Sequence, residues 1–188
     1  MFEYISGDLA ADLVNAGGQL SDYGQLLEWA QGAGAITAST AESLERVAQA
    51  KPAAAAAAID AAHRVRDIVH DVYGAVVAGR SPDLTDLNAE LSRVLPRRQL
   101  DGSHWVWRDA ERELESPVWP VVLAAADLLT SPDAARLRIC AKPDCGWLFV
   151  DRSRNGFRRW CSMADCGTRE KSRRRAAKQS ASVARRAP

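Results

Sequence analysis

Cys140-Ala-Lys-Pro-Asp-Cys145, then fifteen residues, then Cys161-Ser-Met-Ala-Asp-Cys166: this stretch decides how the chain is read. Its four cysteines are the only ones in 188 residues. Two pairs, each in a tight turn and joined by a loop, can supply the four thiolates of a tetrahedral Zn2+ site. Disulfides would suit a small secreted domain, but 139 cysteine-free residues precede the cluster and no export signal opens the chain. A reducing compartment is therefore expected. A redox role would favour C-x-x-C beside a histidine. Both spacings here are C-x4-C, and His63, His70 and His104 all lie upstream. Four sulfur ligands leave no position open for water or substrate, so the expected cofactor is one structural zinc on Cys140, Cys145, Cys161 and Cys166.

Charge divides the chain near the same place. Residues 1–135 carry ten Lys and Arg against twenty Asp and Glu, whereas residues 136–188 carry fifteen against four, so the net +1 conceals halves of −10 and +11. An acidic body joined to a basic module points to a polyanionic partner. No apolar run approaches the roughly 20 residues that cross a bilayer. A cytoplasmic protein with no membrane partner is expected.

Upstream of the cysteines the pattern is mainly helical. Phe2 to Ile5 alternates like a short strand, and helices are expected around Leu9–Val14, from Asp22 to Gly32, and after a capping box Ser39-Thr-Ala-Glu42. Pro52 and six alanines open a helix running to about Ala78. Ser81-Pro82 and Ser116-Pro117 each read as a cap followed by proline at the first helical position. Asp101-Gly102 marks a hairpin whose second strand holds Trp105 and Trp107 on one face. His63 and His70, seven residues apart, share a helix face. These two histidines and two tryptophans are the candidate lining of a ligand pocket. Catalytic signatures are missing: there is no nucleophile–base pair, paired-carboxylate motif or glycine-rich phosphate loop, so an enzyme is not expected.

In the basic module, Gly146-Trp-Leu-Phe-Val-Asp151 reads as a strand, Asn155-Gly156 as a turn and Phe157 to Trp160 as a returning strand. A helix is expected from near Asp165 to Lys178, and residues 179–188 form a basic tail. A cysteine knuckle, hairpin and helix on one metal is the treble-clef arrangement. The stretch C-x4-C-G-W-L-F-V-D-R-S-R-N-G-x-R-R-W-C-S-M-x-x-C-G-T-R-x-K resembles the CGNR zinc finger family, with Thr168 where the family name has Asn. Gly7-Asp-Leu-Ala-Ala-Asp-Leu-Val-Asn15 with the Trp29 helix is similar to the start of the ABATE domain. That domain precedes this finger in a family described as stress-induced transcription regulators. The resemblance implies that the same four cysteines bind the zinc, that the finger binds DNA, and that the N-terminal domain is a pocket-bearing regulatory unit.

The residues agree on nucleic acid. Arg169 and Arg173, Lys171 and Arg175, and Arg174 and Lys178 are i,i+4 neighbours, and Arg152, Arg154, Arg158 and Arg159 add cations nearby. Arginine's planar fork suits both phosphate and guanine. The expectation is an α+β protein: a mostly helical regulatory domain over residues 1–135 with a small β element, a zinc finger over 136–178, and a tail. Duplex DNA is the expected partner, with a small-molecule effector and a homodimer as further possibilities. The alternative is an RNA-binding or ribosome-associated zinc protein in which Trp147, Phe149, Phe157 and Trp160 stack unpaired bases.

Overall fold

A computed structural model describes residues 2–173 and residue 175. Six helices come first in the chain and two small hairpins are set among and after them: α1 (Leu9–Ala16), α2 (Tyr23–Gly32), α3 (Ala38–Ala50), α4 (Pro52–Val77), α5 (Thr85–Val94), β1 (Arg98–Asp101), β2 (His104–Trp107), α6 (Trp119–Thr130), β3 (Leu137–Ile139) and β4 (Leu148–Val150). A wide turn over Met163–Gly167 then leads into a helical stretch from residue 168.

The helices begin where side chains can satisfy their first N–H groups. Asp8 accepts from the Ala11 N–H, Asp22 from the Gln25 N–H and Thr37 from the Thr40 N–H. Such caps are worth about 1 kcal/mol each. Pro52 starts α4, whose Ala58, Ile59, Ala62, Val65, Val69, Val72 and Tyr73 recur at helical spacing and are buried. That stripe meets α1 (Leu13), α2 (Leu26, Trp29) and α6 (Val121, Val122, Ala125) in one core. The core also contains Leu137, Leu148 and Val150 from the second hairpin, so β3 and β4 are anchored in the helical body.

Both hairpins are antiparallel. In the first, Arg98 opposes Trp107 and Leu100 opposes Trp105. In the second, Leu137 opposes Val150 and Ile139 opposes Leu148, so this pair brackets the first two cysteines.

Several expected elements take a different form. Residues 2–5 form no strand, although the Ser6 carbonyl accepts the Val150 N–H at 2.8 Å. Thr37 wins the cap of α3 over Ser39, because helix geometry is already in place by Ala38. The helix after Ser81-Pro82 starts only at Thr85, where the Asp83 carboxylate takes the Thr85 N–H at 2.9 Å. Ser116-Pro117 opens a single 3-10 turn before α6. Residues 157–160 are not a strand: the partner of β4 is β3, from before the first cysteine, and the returning segment contributes one backbone bond, Ala141 N–H to the Arg159 carbonyl at 2.8 Å.

Candidate metal centre and the basic module around it

The four cysteine sulfurs lie within 4.8 Å of one another, and none is in a disulfide. Cys145 and Cys161 are 3.6 Å apart, Cys161 and Cys166 3.6 Å, and Cys145 and Cys166 3.7 Å. A tetrahedron with Zn–S of about 2.3 Å has sulfur–sulfur edges of about 3.8 Å. The donor set therefore fits one zinc ion, and its all-thiolate chemistry suits that metal.

Each cysteine is placed by its local backbone. Cys140 directly follows β3, and its N–H reaches the Trp147 carbonyl at 2.8 Å, extending the hairpin by one rung. The Cys145 N–H closes the knuckle on the Lys142 carbonyl at 3.1 Å. On the other side the Ser162 hydroxyl accepts the Asp165 N–H, and the Gly167 N–H spans to the Ser162 carbonyl at 2.9 Å. That wide turn aims Cys166 back toward Cys161. The Thr168 hydroxyl donates to the Met163 carbonyl at 3.2 Å, so the residue in the family's Asn position fastens the same turn.

Burial, reinforced by the neighbouring thiols of Cys145 and Cys166, pushes the Cys161 thiol far up. Burial likewise pushes Cys166 up to about 11. Burial opposes the charge of Cys140 too, but backbone hydrogen bonds at Cys161 and Lys142 bring that thiol below its ordinary value; a bound Zn2+ would supply the charge that makes the thiolates of Cys161 and Cys166 favourable.

Arg136 and Asp151 brace the loop that joins the two cysteine pairs. Asp151 is fully buried, and its carboxylate accepts the Ser153 N–H at 2.9 Å and the Arg158 N–H at 2.8 Å. Burial opposes its charge, but the Ser153 hydroxyl and N–H, the Arg158 N–H and the Arg136 guanidinium hold the carboxyl below the ordinary range. Arg136 donates to the carbonyls of Asp151 and Ser153 at 3.0 and 3.1 Å.

The ten cations proposed for nucleic acid are not equivalent. Arg158 turns inward: it donates to the Trp160 carbonyl at 2.9 Å and to the Cys161 carbonyl, and it lies 4.7 Å over Phe149. Its work is to hold the metal loop. Arg152 pairs with Asp133, Arg169 with Asp165 and Arg173 with Glu170, all with exposed guanidinium groups. Arg154, Arg159, Lys171 and Arg175 are exposed, and no described carboxylate is paired with them. Arg174 and Lys178 lie outside the described residues, as does the tail.

The finger docks on the helical body through Ser6, Asp12 and Asn15, to which the sequence pattern assigns no such contact. Asn15, buried on α1, donates its amide to the Leu148 carbonyl at 2.8 Å and accepts the Leu148 N–H at 2.9 Å. One side chain thus does for β4 what a neighbouring strand would do. The Ser6 carbonyl continues this pairing to Val150, and Asp12 holds the Ser6 N–H at 3.1 Å. Asn15 looked like an ordinary helix-end residue; the only hint was a carboxamide on the apolar side of a short helix.

His63, His70, Trp105 and Trp107 do not converge. His63 bonds the Leu20 carbonyl at 2.8 Å, His70 sits exposed beside Asp71, Trp105 is 59% exposed under Arg98, and Trp107 packs on Trp119. A cavity of about 500 Å³ lies elsewhere, between α3, α4, α5 and α6. Its floor is Ala54, Ala57 and Ala61; Arg97, stacked 5.3 Å over Trp119, and Lys51, Arg93 and Arg112 reach its rim. Arg93 and Arg97 pair with glutamates, whereas no described carboxylate pairs with Lys51 or Arg112.

The ABATE family, described as "Putative stress-induced transcription regulator", matches residues 7–132. The chain belongs to the ABATE family. Its cysteine module matches the CGNR zinc finger over residues 136–179. No curated protein matches the chain. The ABATE region begins its match at Gly7, beside Ser6 and just before Asp12, which holds Ser6, and Asn15, which holds β4, so the opening segment of that family is here the seat of the zinc finger. Among the described residues no helix is long and apolar enough to cross a membrane.

Proposed function

We propose that this ABATE protein is a DNA-binding transcription regulator and not an enzyme. Residues 136–178 contact duplex DNA, and residues 1–135 respond to a small effector. The observation that carries the reading is the set of exposed cations, Arg154, Arg159, Lys171 and Arg175, on a four-cysteine module joined to an acidic body. Phosphates are the polyanion that such a set neutralises, with release of counterions. Zinc supplies a fixed scaffold here and takes no part in chemistry, because all four ligand positions are sulfur.

Duplex DNA is favoured over unpaired RNA by the placement of the aromatics. Phe149 is fully buried, and Trp147 and Trp160 are packed around the cysteines. Three of the four rings that could have formed a stacking platform are therefore spent on the module's own core. An anionic effector with an apolar body fits the cavity between α3 and α6, since its lining glutamates Glu90, Glu113 and Glu115 are paired with Arg93 and Arg97, whereas no described carboxylate pairs with Lys51 or Arg112.

Binding of the full-length, zinc-loaded protein to labelled duplex and to single-stranded RNA across a salt series tests the reading. Tighter duplex binding with log K falling steeply against log salt is expected. Salt-independent or absent duplex binding, or a clear preference for RNA, overturns it.

A further inference from the structure

Phe157 is 83% exposed, the most open of the large hydrophobic side chains described. Its loop is held still from beneath. The two oxygens of buried Asp151 grip the Ser153 and Arg158 N–H groups, on either side of the tip. The Gly156 N–H reaches the Ser153 carbonyl at 3.3 Å, and Gly156 takes φ +67°, a conformation that turns the chain just before the ring. Arg158 is drawn inward onto Phe149 and the Trp160 and Cys161 carbonyls, while its neighbours Phe157 and Arg159 are both exposed. A phenyl ring kept in water on a braced loop withholds apolar burial that it can gain only against a partner.

From this arrangement we infer that Phe157 is a wedge: the loop of residues 152–159 enters the minor groove of duplex DNA and the ring slides between two base pairs, kinking the duplex. The inference rests on the DNA-binding reading above. Charge names the partner, because Arg154 and Arg159 flank the ring, are exposed and have no described acidic partner. Asn155 is exposed beside them. Arg and Asn around one inserted apolar side chain is the chemistry of minor-groove readers that unstack a base step. A single-strand binder would need successive rings on an open face, and here the other rings of the module are buried or half-buried around the metal site. One rigid ring suits one base step. The bracing by Asp151 matters for the same reason: a backbone already held on both sides of the ring has little freedom left to lose on insertion.

The test uses full-length, zinc-loaded protein and a short duplex selected by the wild-type protein from a random-sequence pool. The duplex carries dyes at its ends to report bending, and 2-aminopurine at successive positions to report unstacking. Wild type is expected to shorten the end-to-end distance and raise 2-aminopurine fluorescence at one step. Phe157→Ala should abolish both signals and bind about 5- to 150-fold more weakly. Its salt slope should stay that of wild type, because no phosphate contact is lost. Phe157→Leu should keep much of the bend, leucine being another side chain used as a wedge. Zinc content equal to wild type shows that each variant is folded around its metal. A Phe157→Ala protein that bends and unstacks the duplex like wild type overturns the wedge and leaves the DNA-binding reading standing. Failure of the wild type to select any duplex overturns both. Preferred binding of single-stranded RNA that depends on Phe157 replaces the wedge with stacking on an unpaired base.

Discussion

Replacing Asn15 with alanine tests how the finger is held without touching the metal or any basic side chain. Asn15 makes two buried hydrogen bonds, at 2.8 and 2.9 Å, to the carbonyl and N–H of Leu148. Truncation leaves both backbone groups without a partner in a site too enclosed for easy solvation. Each buried unsatisfied group costs about 1–3 kcal/mol, so a loss of roughly 2–6 kcal/mol follows. For a chain of this size 1 kcal/mol corresponds to about 2–4 °C, and the melting temperature should fall by roughly 4–24 °C. Because β4 follows the Cys140–Cys145 knuckle, a chelator should also capture zinc faster from the variant. Asn15→Asp refines the test: it keeps size and still accepts the Leu148 N–H, but its carboxylate faces the Leu148 carbonyl with no proton to donate. It should be at least as damaging as alanine at neutral pH and should recover partly as acid restores a donor. An Asn15→Ala protein with wild-type melting and wild-type zinc release would refute the account of how finger and body are joined.

Further outcomes concern the metal and the charges. Cys161→Ser should lose zinc and the order of the module from residue 137 onward; unchanged zinc content would contradict the ligand assignment. Zinc affinity should weaken as pH falls from 8 to 6, because the high-lying thiols of Cys161 and Cys166 must shed protons to bind metal. Competition with a chromogenic chelator reads this directly, and a pH-independent affinity would oppose it. Joint Arg154→Ala and Arg159→Ala substitution should make the DNA salt slope shallower by about 2 with little change in melting. Arg158→Ala should do the reverse, lowering stability and zinc retention while the slope stays put, since its guanidinium serves the Trp160 and Cys161 carbonyls.

The metal site was legible from spacing alone, because four cysteines in two turns admit few arrangements. Long local patterns were legible too: α4 runs Pro52–Val77, close to the extent that its alanines and valines indicate. What escaped was decided by competition or by distance. Thr37 and Ser39 are both good caps, and nothing local chooses between them. The Asn155-Gly156 turn suggests a hairpin closing on Trp160, yet β4 pairs with Leu137–Ile139, a segment whose three residues carry no strand signal strong enough to stand out. Arg158 and Arg159 are adjacent and chemically identical in the sequence; only the fold sends one to the carbonyls of the metal loop and leaves the other in solvent. The cavity rim draws Lys51, Arg93 and Arg112 from three separate segments, a convergence invisible to any single helix pattern.

The seating of β4 on α1 bears on how such fingers can be moved between proteins. Leu137, Leu148 and Val150 belong to the same core as Leu13 and Val121. A chimera that transplanted only the finger from residue 137 onward would carry three apolar side chains and an unmatched strand edge into water. Grafts that also bring residues 6–15 keep the strand's carboxamide partner, but the apolar cover that α4 and α6 supply stays behind.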